Sequence, residues 1–162
     1  MRALVLGAET PVGRAIAAAL AEAGAQLALV AASTDAETAF AVQRLARRLG
    51  ALSQAIDATN EMAVRVMTRQ LSKALGGLDA LIFCADLGDS TPAAVDIAMA
   101  YSNREFDRRG GGTFIAAVPQ DTPAGIGEAP PGFDSMRVVK AEDAEAVARR
   151  IVEALAGDSS GA

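Results

Sequence analysis

The chain has 162 residues, 51% of them hydrophobic but only 4% aromatic, with a formal net charge of −5, no histidine and one cysteine. That length supports one domain with a real core, and the acid excess excludes a broad nucleic-acid surface, which needs clustered Lys and Arg. A lone cysteine excludes an internal disulfide, which favours a reducing compartment, and without histidine a zinc-type centre is excluded as well.

Strand and helix signals alternate from the start. The apolar run Ala3–Leu6 predicts a strand, Gly7 ends it, and Val12–Ala23 predicts an Ala-rich helix stopped by Gly24. Gln26–Ala31 is a second strand, Asp35–Leu49 a second helix closed by Gly50, Leu52–Ile56 a weak third strand, and Glu61–Leu75 a helix stopped by Gly76-Gly77. Ala80–Cys84 is continuously apolar, as a parallel strand buried on both faces should be. Ala93–Arg108 predicts a fourth helix and Thr113–Val118 a fifth strand. Residues 119–135, rich in proline and glycine, read as a long loop of the kind that is functional or mobile. Met136–Val139 follows as a short sixth strand, Ala141–Leu155 as an amphipathic helix, and Gly157–Ala162 as a frayed tail. Each glycine stop fits a C-cap, and such alternation implies a parallel sheet with helices on both faces.

Several residue groups have a bland and a sharper reading. Cys84 ends an apolar run and reads as a buried, inert thiol rather than a nucleophile. Arg44, Arg47 and Arg48 fit the wet face of a helix. Asp86, Asp89 and Asp96 follow strand 4, where they are solvated loop acids or hold a hard cation; the first reading is the more economical, and no metal is expected. Glu9, Pro11 and Arg14 break any signal-peptide core, and no apolar run reaches the roughly 18 residues of a membrane span. A cytoplasmic protein without membrane partners is therefore expected.

The stretch Arg2–Ile16 is the strand, glycine loop and helix in which dinucleotides rest a pyrophosphate on a helix N-terminus. Gly7-Ala8-Glu9-Thr10-Pro11-Val12-Gly13 resembles the Gly-x-x-x-Gly-Ile-Gly loop of the short-chain dehydrogenase/reductase family. Asp57-Ala58-Thr59-Asn60 is similar to the family's Asp-Val-Thr-Asp segment, and Leu78-Asp79-Ala80-Leu81-Ile82-Phe83-Cys84-Ala85-Asp86 stands where the family has Leu-Asp-x-Leu-Val-Asn-Asn-Ala-Gly. Arg109-Gly110-Gly111-Gly112-Thr113-Phe114-Ile115 is like the family's approach to strand 5. The set covers residues 1–118 well and the remainder poorly. It implies an α/β fold of Rossmann type: a doubly wound parallel sheet in three layers, strand order 3-2-1-4-5-6, with 1–157 as one domain and 158–162 as a disordered tail. It also implies an NAD(P) site at Gly7, Thr10, Val12, Gly13, Ser33, Asp57, Ala58 and Ala85.

The departures from the family pattern bear on activity. Pro11 replaces the middle glycine and brings a ring and no N–H. Glu9 places a negative charge beside a would-be diphosphate, a repulsion of about 1 kcal/mol in water and about 3 kcal/mol near a protein surface at ~5 Å. Gly7 and Gly13 then either cradle phosphate or serve only a tight turn and close packing. Ala31-Ala32-Ser33-Thr34 offers neither the acid of NAD-preferring members nor the arginine of NADP-preferring ones; Ser33 and Thr34 are ribose ligands or caps for the next helix. The family's catalytic serine and its Tyr-x-x-x-Lys pair have no counterpart. The single tyrosine, Tyr101, precedes strand 5 and is followed four residues on by Glu105. Pro130-Pro131-Gly132-Phe133 resembles the Pro-Gly turn after the family's sixth strand. The resemblance implies a catalytically degenerate member that binds NAD(P) or a nucleotide weakly or serves as a partner subunit. An active oxidoreductase with atypical residues and a ligand-free interaction module stand as alternatives. Val95, Ala98, Met99 and Phe106 form an apolar stripe on helix 4 that either packs on the sheet or joins a homo- or hetero-oligomer.

Overall fold

The computed structural model describes residues 1–119, 135–141 and 143–160. Six parallel strands, β1 (Arg2–Leu6), β2 (Gln26–Ala31), β3 (Leu52–Ala55), β4 (Ala80–Phe83), β5 (Thr113–Pro119) and β6 (Ser135–Ala141), form one sheet in the order β3-β2-β1-β4-β5-β6. The helices are α1 (Pro11–Glu22), α2 (Ala36–Leu49), α3 (Glu61–Leu75), α4 (Thr91–Asp107) and α5 (Ala144–Ser160). This is the doubly wound Rossmann topology that the family resemblance implies, with the parallel sheet that the alternation of elements predicts.

Period-two alternation divides the strand side chains between two cores. Val5, Leu29, Ile82 and Ile115 point to one face, where they meet Ile16, Leu20, Val42, Leu45, Val147 and Ile151 of α1, α2 and α5. Leu4, Val30, Leu81, Phe83 and Phe114 point to the other, against Val64 and Met67 of α3 and Val95 and Phe106 of α4. The sheet is therefore the middle of three layers. Small residues do much of this packing: Ala17 on α1 and Ala94 and Ala98 on α4 are fully covered, so helices and sheet approach closely.

Side-chain caps decide where the helices begin. Asp35 accepts from Thr38 N at 3.1 Å and Asn60 Oδ1 from Ala63 N at 3.0 Å, each satisfying an amide that the first turn leaves without a partner. Gly50 closes α2 at φ 68°, a left-handed conformation that glycine adopts without a Cβ penalty. Asp143 caps α5, its Oδ1 accepting from Glu145 N and its carbonyl from Val147 N.

Element ends differ from expectation in places with local causes. α1 begins at Pro11 because Thr10 is its cap, and Asp35 rather than Ser33 or Thr34 caps α2. A short 3₁₀ turn at Gly88–Ser90 leads into α4, which starts at Thr91. β6 runs to Ala141, and α5 starts at Ala144 and continues to Ser160, past the tail expected from residue 158. After the buried Val147, Ile151 and Leu155, no proline stops the helix, and Gly157 alone costs it only about 1 kcal/mol. The expected loop at 119–135, apart from its end residues, and the Pro130–Phe133 turn lie outside the described residues.

The apolar stripe of α4 settles between its two readings. Val95 and Ala98 are 0% exposed, Met99 6% and Phe106 2%, all within the core that includes β4 and β5. The sheet covers this stripe, so it offers no apolar area for another subunit. Phe106→Ala is therefore expected to lower the free energy of unfolding by about 3–5 kcal/mol, read from urea denaturation. Unchanged stability together with an altered mass in light scattering would move the stripe to a subunit contact.

Candidate functional site

The strand order reverses between β1 and β4. The connection from β1 descends through α1 on one face, and that from β4 through α4 on the other, so a crevice opens at the carboxyl ends of these strands. The loop from Gly7 to Thr10 forms its floor.

Both loop glycines are dictated by close approach. Gly7 has φ 99° and its N–H donates to Val30 O at 2.8 Å. A Cβ there would fall within the Ala85 backbone, and a Cβ on Gly13 would strike the Gly7 carbonyl oxygen. Thr10 locks this arrangement. Its Oγ1 accepts from Gly13 N at 2.9 Å and lies 3.0 Å from both Gly7 O and Cys84 O, so its one proton serves either carbonyl. The close-packing role of Gly7 and Gly13 thus accounts for both residues without a ligand.

The anion-binding capacity of the α1 N-terminus is largely used internally. Pro11 has no N–H, Gly13 N is bonded to Thr10 Oγ1, and Arg14 N donates to Thr10 O at 2.9 Å. Among the described residues this leaves the Val12 N–H as the open amide of the first turn.

Glu9 does not point outward. Its Oε1 accepts from Ala32 N at 2.7 Å, which carries the carboxylate across to the end of β2, and Arg14 donates to the Glu9 carbonyl. Burial raises the Glu9 pKa, while the Ala32 amide pulls it back down. The crevice thus contains a half-buried carboxylate where the family pattern has room for an adenosine ribose and diphosphate.

The other expected contact residues open α1 or follow β2, β3 and β4, and the polar side chains among them are in local use. Ser33 Oγ accepts from Asp35 N at 3.1 Å, a turn contact ahead of α2. Asp57 Oδ1 accepts from Thr59 Oγ1 at 2.7 Å and Thr59 N at 2.9 Å; these bonds lower its pKa, the hydroxyl bond most. Ala58 and Ala85 are buried, and Val12 is half-buried at the start of α1. Cys84 is enclosed with Sγ near the Leu6 and Gly7 carbonyls; burial foremost, then the Glu9 charge, pushes its thiol far above the ordinary range. It is inert as a nucleophile. Asp86 accepts from Gly88 N at 3.3 Å, and among the described residues no three acids meet as a cation site.

Tyr101 is held away from this chemistry. It stands between α3 and α4, its hydroxyl donating to Glu61 Oε1 at 2.7 Å; that bond, more than burial, raises its pKa. Sequence reasoning missed two features here: Glu9 bonding to the end of β2, and the arginines around Tyr101. Spacing shows neither, because both are contacts between separate elements.

A family model described as enoyl-(acyl carrier protein) reductase matches residues 7–117. The chain belongs to the short-chain dehydrogenase/reductase family. A short-chain type dehydrogenase/reductase from Mycobacterium marinum is 29% identical with a TM-score of 0.65, over 73% of this chain and 55% of that one. NADPH-dependent 3-quinuclidinone reductase from Rhodotorula rubra is 25% identical with a TM-score of 0.64, over 73% and 52%. The chain thus spans about half the length of these relatives. An alcohol dehydrogenase from the archaeon Thermococcus sibiricus, solved with 5-hydroxy-NADP, aligns over 95% of this chain and 89% of its own; with a TM-score of 0.69 at 15% identity it shares the fold. No curated protein matches the sequence. Among the described residues, no helix is long and apolar enough to cross a membrane.

The half-buried carboxylate of Glu9 has a pH signature. Its folded-state pKa is raised, so the native state holds the proton more tightly than the unfolded chain does. Stability from this group is complete below the unfolded pKa and lost as pH rises through the folded one. Glu9→Gln keeps an acceptor for Ala32 and removes the charge. Between about pH 4 and 7 the variant should gain steadily on the parent in urea midpoint. A difference that stays flat across that range would show that Glu9 carries no desolvation penalty.

Proposed function

We propose that this chain is a short-chain dehydrogenase/reductase domain that binds NAD(P) weakly in the β1–β4 crevice and has lost carbonyl reduction. One observation carries the reading. β5 and β6 pair directly in parallel, and the connection between them, residues 120–134, contains no tyrosine, lysine or serine. The family pattern sets its Tyr-x-x-x-Lys pair in that connection, the tyrosine as general acid/base and the lysine lowering its pKa. Nothing there can deliver a proton to a carbonyl oxygen in that way.

The crevice supports weak rather than tight binding. The expected contacts Gly7, Thr10, Val12, Gly13, Ser33, Asp57, Ala58 and Ala85 lie in the segments that follow β1 to β4, but a diphosphate would find one open amide on the α1 turn. It would also displace the Glu9 carboxylate from Ala32 or lie beside it. Cytoplasmic residence and service as a partner subunit belong to the same proposal. Assembly draws no support from the α4 stripe, which the sheet covers.

Calorimetric titration is expected to give NADH and NADPH dissociation constants no tighter than the high-micromolar range. Replacing Glu9 by Ser together with Pro11 by Gly should tighten binding about tenfold, by removing a like charge and adding an amide donor. A sub-micromolar constant for the unaltered protein would defeat the weak-binding reading. No binding by the repaired variant would favour a ligand-free interaction module.

Turnover gives a separate check. Oxidation of NADPH or NADH with a panel of ketones and aldehydes should stay at background. Robust turnover would overturn the proposal, whether or not it survived Tyr101→Phe, and its loss in that variant would make Tyr101 the acid.

A further inference from the structure

The outer groove between α3 and α4 gathers four arginines. Arg65 and Arg69 stand one turn apart on α3, Arg104 lies in the last turn of α4 and Arg108 caps it, and with Thr68, Tyr101 and Glu105 they line a cavity of about 200 Å³. In a chain of net charge −5, four guanidiniums here face a single lining carboxylate. Like charges one turn apart oppose helix formation, so this clustering works against the local stability of both helices.

The groove is built rather than merely basic. Glu105, its side chain only 5% exposed, lies at the base and accepts from Arg69 at 2.9 Å, with Arg108 Nε 3.4 Å from its other oxygen. Glu61 fixes the Tyr101 hydroxyl, and the Arg104 guanidinium lies 4.8 Å from the centre of the Tyr101 ring. Arg65 has no hydrogen-bond or ion-pair partner among the described residues, and Arg104 has no carboxylate partner there. Arg104 lies against the Tyr101 ring, and Arg65 lines the same cavity. Two guanidiniums are thus oriented by a buried acid, and two more remain open toward the space between them.

We infer that this groove is an anion site for the phosphate or diphosphate group of a small molecule, distinct from the β1–β4 crevice. The donor set has the planar, multidentate character that favours phosphate oxygens. The volume is below the roughly 300–1,000 Å³ of pockets that enclose a drug-sized ligand. The groove therefore takes the charged group, and the rest of the molecule lies outside. The inference does not depend on whether the crevice binds a dinucleotide.

Tyr101 provides a local reporter, since it is the only tyrosine and the chain has no tryptophan. Titrating the full-length protein with inorganic pyrophosphate should change tyrosine emission in a saturable way, and the affinity should fall as salt is added. Amide shifts in a parallel NMR titration should centre on residues 65–69 and 101–108. Replacing Arg65 and Arg104 together by Ala should weaken binding about tenfold or more. Replacing Arg44 and Arg48, on the opposite layer, should leave it unchanged. All four side chains are exposed, so both variants should fold as the parent does, read from circular dichroism. Absence of saturable binding, equal loss in the two double variants, or shifts confined to residues 8–13 would each overturn the site. So would a pyrophosphate-independent dimer that buries the groove.

Discussion

The Thr10 hydroxyl is the contact on which the upper end of the sheet depends. It accepts the Gly13 amide that starts α1 and sits at 3.0 Å from carbonyls at the ends of both β1 and β4. Those two strands flank the reversal in strand order, so one side chain ties together the pieces that shape the crevice. The tie works only because the backbones come very close. Any side chain at Gly7 would collide with the Ala85 backbone, and any at Gly13 with the Gly7 carbonyl. What opens a phosphate cradle in the family pattern is here turned inward to hold the turn.

Electrostatics then divide the molecule. The crevice, where a dinucleotide diphosphate would need positive potential, contains the half-buried Glu9 and a helix turn whose amides are mostly spent. The α3–α4 groove carries the opposite sign, with Glu105 organising two of its four arginines. The fold supplies a helix N-terminus at the first place and two parallel helix flanks at the second. The side chains decide which of them suits an anion, and the proposed site lies at the flanks. This separation of fold from chemistry is why family membership alone does not establish activity.

Much of the architecture is legible in the residue pattern. Ala80–Phe83 is apolar on consecutive positions and lies in mid-sheet; Gly50 and Gly76 end helices; Asp35 and Asn60 begin them. The glycine loop and the ordered set of four family-like segments predict the strand order that is observed. Helix ends are less legible where two signals compete. Ser33 and Thr34 look like caps, but Asp35 is the residue whose oxygen reaches a first-turn amide. The stripe on α4 is visible as a stripe, yet its partner is not, since spacing reports an apolar face without saying what lies against it.

The amino-acid sequence by itself determined the alternating elements, the family, the lack of a Tyr-x-x-x-Lys pair, and the presence of Glu9 and Pro11 in the loop. These are local properties, carried by propensity, turn chemistry and residue identity. Only the tertiary structure decided that Glu9 reaches across to Ala32, that Thr10 reaches Cys84, that the sheet covers Val95 and Phe106, and that Arg69 and Glu105 meet. Each of these joins residues from different elements, up to 74 positions apart for Thr10 and Cys84. Their contact follows from how strands register and helices pack, and no periodicity along the chain encodes that.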